Sequence, residues 1–283
     1  MKAIKYLYLT TLLLLSTLSF AKDWQSKSSD EYARCDILIH GFSFKKDSDQ
    51  YFGDLPNQVI WDSSEEIEVA APTVAQGILE KMENCAHDAP VTLRPHSYGA
   101  AVVHFILGKG NLFQDAFPDH PYVLIYKRTT EVYAFTGAYH GTPLMDVVCA
   151  NRFTRAIIEL LGTSCVKGLS TSEIDNVGTK VTSAGIPTYL IYSTKREAYL
   201  GTTGLLLAKH MVSFKDFRKG LRNQNDDTLP LYAAKGCAVK QIMESPDAQC
   251  EKLDPYFMED FYHTNEYGHL EFRKIREFMY MTK

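Results

Sequence analysis

The chain has 283 residues, 34 acidic against 30 basic side chains, a formal net charge of -4 and an apolar fraction of 45%. This is the composition of an ordinary globular protein. Basic residues are interspersed with acids instead of gathered into the stripe a phosphate backbone requires, which excludes nucleic acid as the expected partner. No HExxH, paired CxxC or EF-hand pattern occurs, so no metal and no cofactor are expected.

Residues 1–21 read as a cleaved secretory leader: Lys2 and Lys5 precede the apolar run Tyr6 to Leu15, and Ser19-Phe20-Ala21 puts small residues where a signal peptidase inspects. The run falls short of the roughly 18 apolar residues a membrane span needs, so no transmembrane segment is expected after cleavage, and a retained anchor is the alternative. Cleavage removes two lysines and no acids, taking the net charge from -4 to -6. Residues 22–283 show no repeat, linker or composition break and are expected to form one domain. The six cysteines, Cys35, Cys85, Cys149, Cys165, Cys237 and Cys250, are an even number in a chain expected to be exported, where thiols oxidise. Short loops favour Cys149 with Cys165 and Cys237 with Cys250, leaving Cys35 for Cys85; free buried thiols are the alternative.

In chain order, Asp36 to His40 is a short apolar run delivered into Gly41, as in a buried parallel strand. Thr73 to Cys85 follows as a helix. A second run, Val91 to Pro95, leads through His96-Ser97-Tyr98-Gly99 into a helical stretch from Ala100 to Leu107. Tyr122 to Tyr126, Glu131 to Thr136 and Pro187 to Ser193 read as strands, and Leu270 to Met281 as a final helix. Strands alternating with helices predict an α/β class with a mostly parallel sheet covered on both faces. Ligands in such sheets bind beyond the carboxyl ends of the strands, which draws attention to the residues after His40, Pro95 and Ser193.

Pro95-His96-Ser97-Tyr98-Gly99 stands between a strand and a helix, where a nucleophile elbow of the form GxSxG would stand. A serine hydroxyl is a weak nucleophile until a base takes its proton, and it must be presented clear of its sheet. Gly99 matches the pattern, whereas Pro95 replaces the first glycine and removes a backbone donor.

Further segments agree in order. His40-Gly41-Phe42 resembles the oxyanion loop of bacterial true lipases, Tyr139-His140-Gly141-Thr142-Pro143-Leu144 with Asp146 resembles their PHxGSxxAD segment, Asn225-Asp226-Asp227-Thr228-Leu229-Pro230 resembles their NDGxVP acid loop, and Tyr267-Gly268-His269-Leu270 resembles their NHLD histidine loop. The chain thus resembles the true-lipase branch of the α/β-hydrolase superfamily over nearly its whole length beyond Cys35.

The resemblance implies an α/β-hydrolase fold with a helical lid insertion at about 144–182, and an exported, periplasmic or secreted, carboxylic-ester hydrolase. Ser97 would be the nucleophile, His269 the base and Asp226 its orienting acid, with the N–H groups of Phe42 and Tyr98 receiving the oxyanion. The partner would be an ester or lipid substrate, with a lipid–water interface where the apolar set Phe153, Ile157, Ile158, Leu160 and Leu161, at roughly helical spacing, forms a flap; a core-facing helix is the alternative. His263 competes with His269, and Asp227 with Asp226. His140 and His104 are expected to be structural. Those lipases hold a structural calcium through an acid just past the histidine; here that acid is Glu271, and no second acidic ligand is identifiable. The rival readings are an acyltransferase using the same triad and an inactive binding protein, for which Pro95 speaks. The usual strand order of the fold also sets Cys35 and Cys85 side by side.

Overall fold

The computed structural model describes residues 34–43, 51–142 apart from 88, 185–195, 231–240, 247–258 and 261–269, with 145–146, 149, 166–171, 174, 229, 245, 271–272, 277 and 280. The expected leader, most of the expected lid and the acid loop at 225–228 lie outside the described residues.

Within the compact unit Cys35–Lys283, one sheet is built from β1 (Cys35–Ile39), β2 (Gln58–Val59), β3 (Val91–Pro95), β4 (Thr129–Phe135), β5 (Thr188–Ser193) and β6 (Tyr262–Thr264). Their order is β2-β1-β3-β4-β5-β6, and every neighbouring pair is parallel. The chain steps outward from β1 to β2 and then returns past β1 to β3, so the order reverses beside β1 and β3. In open parallel sheets, ligands bind at such a switch point.

Side-chain alternation along the strands explains why both faces are covered. Ile37, Ile39, Leu93, Val132, Ala134 and Leu190 join the core under the helices α1 (Ile67–Glu83) and α2 (Tyr98–Phe113). Leu38, Tyr133, Phe135 and Ile191 point the other way, onto Tyr51, Phe52 and Phe272. Helix α2 buries Tyr98 through Gly108 without a break, as an all-round apolar helix must.

The segment Tyr122 to Tyr126 is not a strand but part of helix α3 (Pro121–Arg128). Its apolar, aromatic run mimics a strand, yet the His120 side chain caps the N-terminus by accepting from Tyr122 N–H, Pro121 opens the helix, and Lys127 and Arg128 close it. Helix α1 begins six residues before Thr73 and runs through Pro72; the i→i−4 donor that Pro72 lacks would have served Glu68, which is exposed to water. Strands β2 and β6, two and three residues long, carry no pattern to read. Most of the expected helix Leu270 to Met281 is outside the described residues.

Cys35 opens β1 and pairs in register with Val91, the first residue of β3, while Cys85 lies just beyond α1 on the approach to β3. Their Cα atoms are 5.7 Å apart and bridged, and Cys237 is bridged to Cys250. Cys149 is also disulfide-bonded; its expected partner, Cys165, lies outside the described residues. Among the described residues, no helix is long and apolar enough to cross a membrane.

Candidate active site

Strand β3 ends at Pro95 and α2 starts at Tyr98, so two residues must turn the chain. Ser97 does so at φ 53° and ψ -121°, a conformation that costs a non-glycine residue energy unless its surroundings impose it. They do: His96 N–H donates to Ile39 O at 2.9 Å, Ser97 N–H donates to Phe135 O at 2.8 Å, and Ser97 O accepts from Ala138 N–H at 3.0 Å and Ala100 N–H at 3.1 Å. The serine side chain is left out of helix capping. Gly99 is required here, since a Cβ would lie 2.6 Å from His40 O and 2.8 Å from Ile39 O. Pro95 also fits. Donors alternate sides along β3, so the missing N–H faces β4, where the pairing lapses between Leu93↔Val132 and His96↔Phe135.

The turn after β1 lies directly against the elbow. A Cβ on Gly41 would stand 2.5 Å from Ser97 Cβ and 2.8 Å from His96 O. His40 anchors this turn from within the core. Its Nδ1 donates to Gly41 O at 2.6 Å and its Nε2 accepts from Trp61 N–H at 3.3 Å, which requires the neutral ring. Burial lowers its pKa from 6.5 to about 4, so the neutral form persists. Phe42, half-buried, follows Gly41, and Tyr98 opens α2 with its hydroxyl donating to Glu65 O at 2.8 Å. As the first residue of a helix, Tyr98 carries an N–H with no intrahelical acceptor.

The histidine loop leaves the end of β6. Thr194 N–H donates to Thr264 O at 3.0 Å, and Ser193 Oγ donates to Tyr267 O, tying the loop to the end of β5. His269 is buried, its ring edge-on to His96 with centroids 4.8 Å apart. His263 is exposed on β6, bonded to Thr194 Oγ1 at 2.8 Å and leaning on Tyr192. The loops bearing Ser97, Gly41-Phe42 and His269 therefore meet at the carboxyl end of the sheet. Asp226 and Asp227 lie outside the described residues.

Two other histidines sit elsewhere. His140 Nε2 donates to Cys237 O at 2.5 Å, and its ring meets Tyr232. His104, buried on α2, has Nδ1 3.9 Å from Asp254 Oδ2 and rings of Tyr139 and Phe257 against it. Burial, reinforced by Asp254, pushes the Tyr139 hydroxyl up.

Glu271 was the candidate calcium ligand, and its surroundings do not fit one. Its Oε2 accepts from Lys195 Nζ at 2.8 Å and from Gly268 N–H at 2.7 Å, so an ammonium already balances the carboxylate. No group of three His, Cys, Asp or Glu suited to a metal ion occurs among the described residues. The sequence pattern points to Ser97 and not to its neighbour His96, whose ring nitrogens meet Tyr51 and the histidine loop. Its position inside the elbow motif was the available signal.

No protein-family profile matches the chain, and no curated protein does. Among solved structures it is similar to lipase BlEst2 from Bacillus licheniformis: the mature form superimposes with a TM-score of 0.53 at 13% identity over 88% of this chain and 89% of that one. The propeptide form gives 0.51 at 12% identity, over 88% and 49%. Together with the parallel six-stranded sheet and its flanking helices, this likeness gives the chain the α/β-hydrolase fold.

Proposed function

We propose that this protein is an exported serine hydrolase of carboxylic esters, a lipase or esterase acting through an acyl-enzyme on Ser97. The observation that carries the reading is the strained Ser97 backbone between β3 and α2, with the Gly41 turn against its Cβ and His269 packed on its neighbour His96. The true-lipase motifs and the likeness to a lipase fold support the substrate class. The leader-like start and the disulfides support export.

In this mechanism His269 takes the Ser97 proton as Oγ bonds to the ester carbonyl carbon. The negative oxygen is received by the N–H groups of Phe42 and Tyr98. Collapse breaks the bond to the alcohol, which leaves with the proton held by His269. Water then repeats the sequence on the acyl-enzyme: His269 takes its proton, the acid departs and Ser97 is restored. Asp226 holds the imidazole in the tautomer that faces Ser97.

The test is turnover of p-nitrophenyl esters of graded chain length by the mature chain, with acid and alcohol both quantified. Stoichiometric release of both supports hydrolysis. Transfer of the acyl group to an added alcohol in preference to water would make the protein an acyltransferase, and the absence of any turnover would make it a binding protein.

A further inference from the structure

The proposed chemistry does not use His96, yet this residue is buried in a setting that costs energy unless both ring nitrogens are satisfied. Nδ1 lies 2.7 Å from the Tyr51 hydroxyl, and Nε2 lies 2.8 Å from the backbone carbonyl oxygen of His269. A carbonyl oxygen only accepts, so Nε2 carries the proton. In the neutral ring Nδ1 is then an acceptor, and the Tyr51 O–H donates to it. Thr136 Oγ1, 3.3 Å from Nε2, is the more distant neighbour of that nitrogen. For the neutral ring the direction of the chain is therefore Tyr51 O–H to His96 Nδ1, and His96 Nε2–H to His269 O.

Ring contacts run along the same path. Trp61 stacks on His40 at 5.3 Å, His40 meets Tyr51 at 5.2 Å, Tyr51 meets His96 at 5.6 Å, and His96 meets the His269 ring at 4.8 Å. Five rings therefore connect the Gly41 turn, the elbow and the histidine loop. The Tyr51 oxygen is also 2.9 Å from where a Gly41 Cβ would stand, so the hydroxyl touches the turn as well as His96. Because His96 is bonded covalently to Ser97, its hydrogen bond to His269 O ties the backbone of the histidine loop to the residue beside Ser97.

We propose that His96, with its proton placed by Tyr51, is a positioning residue that holds His269 at working distance from Ser97. The proposal rests on the ester-hydrolase reading. Its effect should fall on kcat and not on KM, because it aligns reacting groups and touches no substrate. A misplacement of about 1 Å can cost about a hundredfold in rate.

The experiment compares His96→Leu, His96→Gln, Tyr51→Phe and the double variant Tyr51→Phe/His96→Leu, at matched thermal stability, in ester turnover. His96→Leu should lower kcat by about a hundredfold with KM little changed. His96→Gln, which keeps an N–H donor, should recover most of that loss. Tyr51→Phe should lower kcat in the parent and have no further effect in the His96→Leu background, where the nitrogen it bonds is gone; the recovery by His96→Gln and the loss in kcat without KM are what a packing role would not give. A folded His96→Leu that keeps kcat within about threefold, or additive losses in the double variant, would overturn the proposal. Nitrogen NMR of the unmodified protein tests it without any variant. A neutral His96 with its proton on Nε2 supports the assignment, and a proton on Nδ1 overturns it. An inert parent would remove the ester-hydrolase reading and this proposal together, whereas an active parent with indifferent variants removes only this one.

Discussion

Replacing Gly41 by alanine should damage turnover far more than folding. The new Cβ would stand 2.5 Å from Ser97 Cβ, 2.8 Å from His96 O and 2.9 Å from the Tyr51 hydroxyl. Ordinary carbon contacts lie at about 3.5–4.0 Å, so the turn and the elbow must part by about 1 Å. Overpacking of this kind costs about 1–3 kcal/mol, whereas about 1 Å of misalignment at a catalytic site can cost about a hundredfold in rate. Gly53→Ala is the matched control: at φ +66°, with nothing within 4 Å of a new Cβ, it carries backbone strain of about 1–2 kcal/mol far from any crowding. Urea unfolding and ester turnover, measured on both, should show similar stabilities and rates differing by about two orders of magnitude. Equal rates in the two variants would refute the inference that the Gly41 turn abuts the nucleophile in the working enzyme.

Ser97→Ala and His269→Ala should each abolish turnover, with the double variant little worse than either, because a triad acts as a unit; His263→Ala should retain near-parental kcat/KM, and the reverse ranking would reassign the base. His40 binds fewer protons folded than unfolded, so its contribution is full above pH 6.5 and is lost as pH falls toward about 4, amounting to about 3 kcal/mol; His40→Gln should flatten that part of the urea-derived stability profile, and an unchanged slope would refute it. Removing the Cys35–Cys85 bridge, which spans 50 residues, should lower stability by up to about 4 kcal/mol, read by denaturant titration of the double serine variant. Asp36→Ala strips the carboxylate 2.6 Å from the fully buried Arg94 guanidinium, and should cost toward the lower end of about 3–5 kcal/mol because Tyr133 still lies under the charge; a loss below about 1 kcal/mol, typical of a surface pair, would show the guanidinium is hydrated.

How much of this was legible in advance depended on range along the chain. Strands β1 and β5 were readable because a strand buried on both faces is a largely apolar run, and β3, which alternates Val91 and Leu93 with Thr92 and Arg94, because it stands between Pro90 and Pro95 just before the Ser97 motif. The α3 segment misled because Tyr122-Val123-Leu124-Ile125-Tyr126 has strand-like residues, and the deciding signals, His120 and Pro121, lie before it. Strand β6 is three residues at the sheet edge and depends on pairing with β5, which no local pattern announces. At the site, the elbow was legible from strand–xSxG–helix spacing, but the suitability of Pro95 needed the side-to-side alternation of β3 donors. The place of His96 inside the elbow motif was legible, but its hydrogen-bond partners were not, since they lie 45 and 173 residues away and come together only through the sheet.

The central claim is that Ser97 is an activated nucleophile. Its most direct test is to treat the purified protein with a fluorophosphonate, measure intact mass and map the modified peptide. The account predicts one adduct, on Ser97, formed at a rate that collapses in His269→Ala and survives in His263→Ala. A folded protein that takes up no phosphonate, or carries it on a different residue, would contradict it.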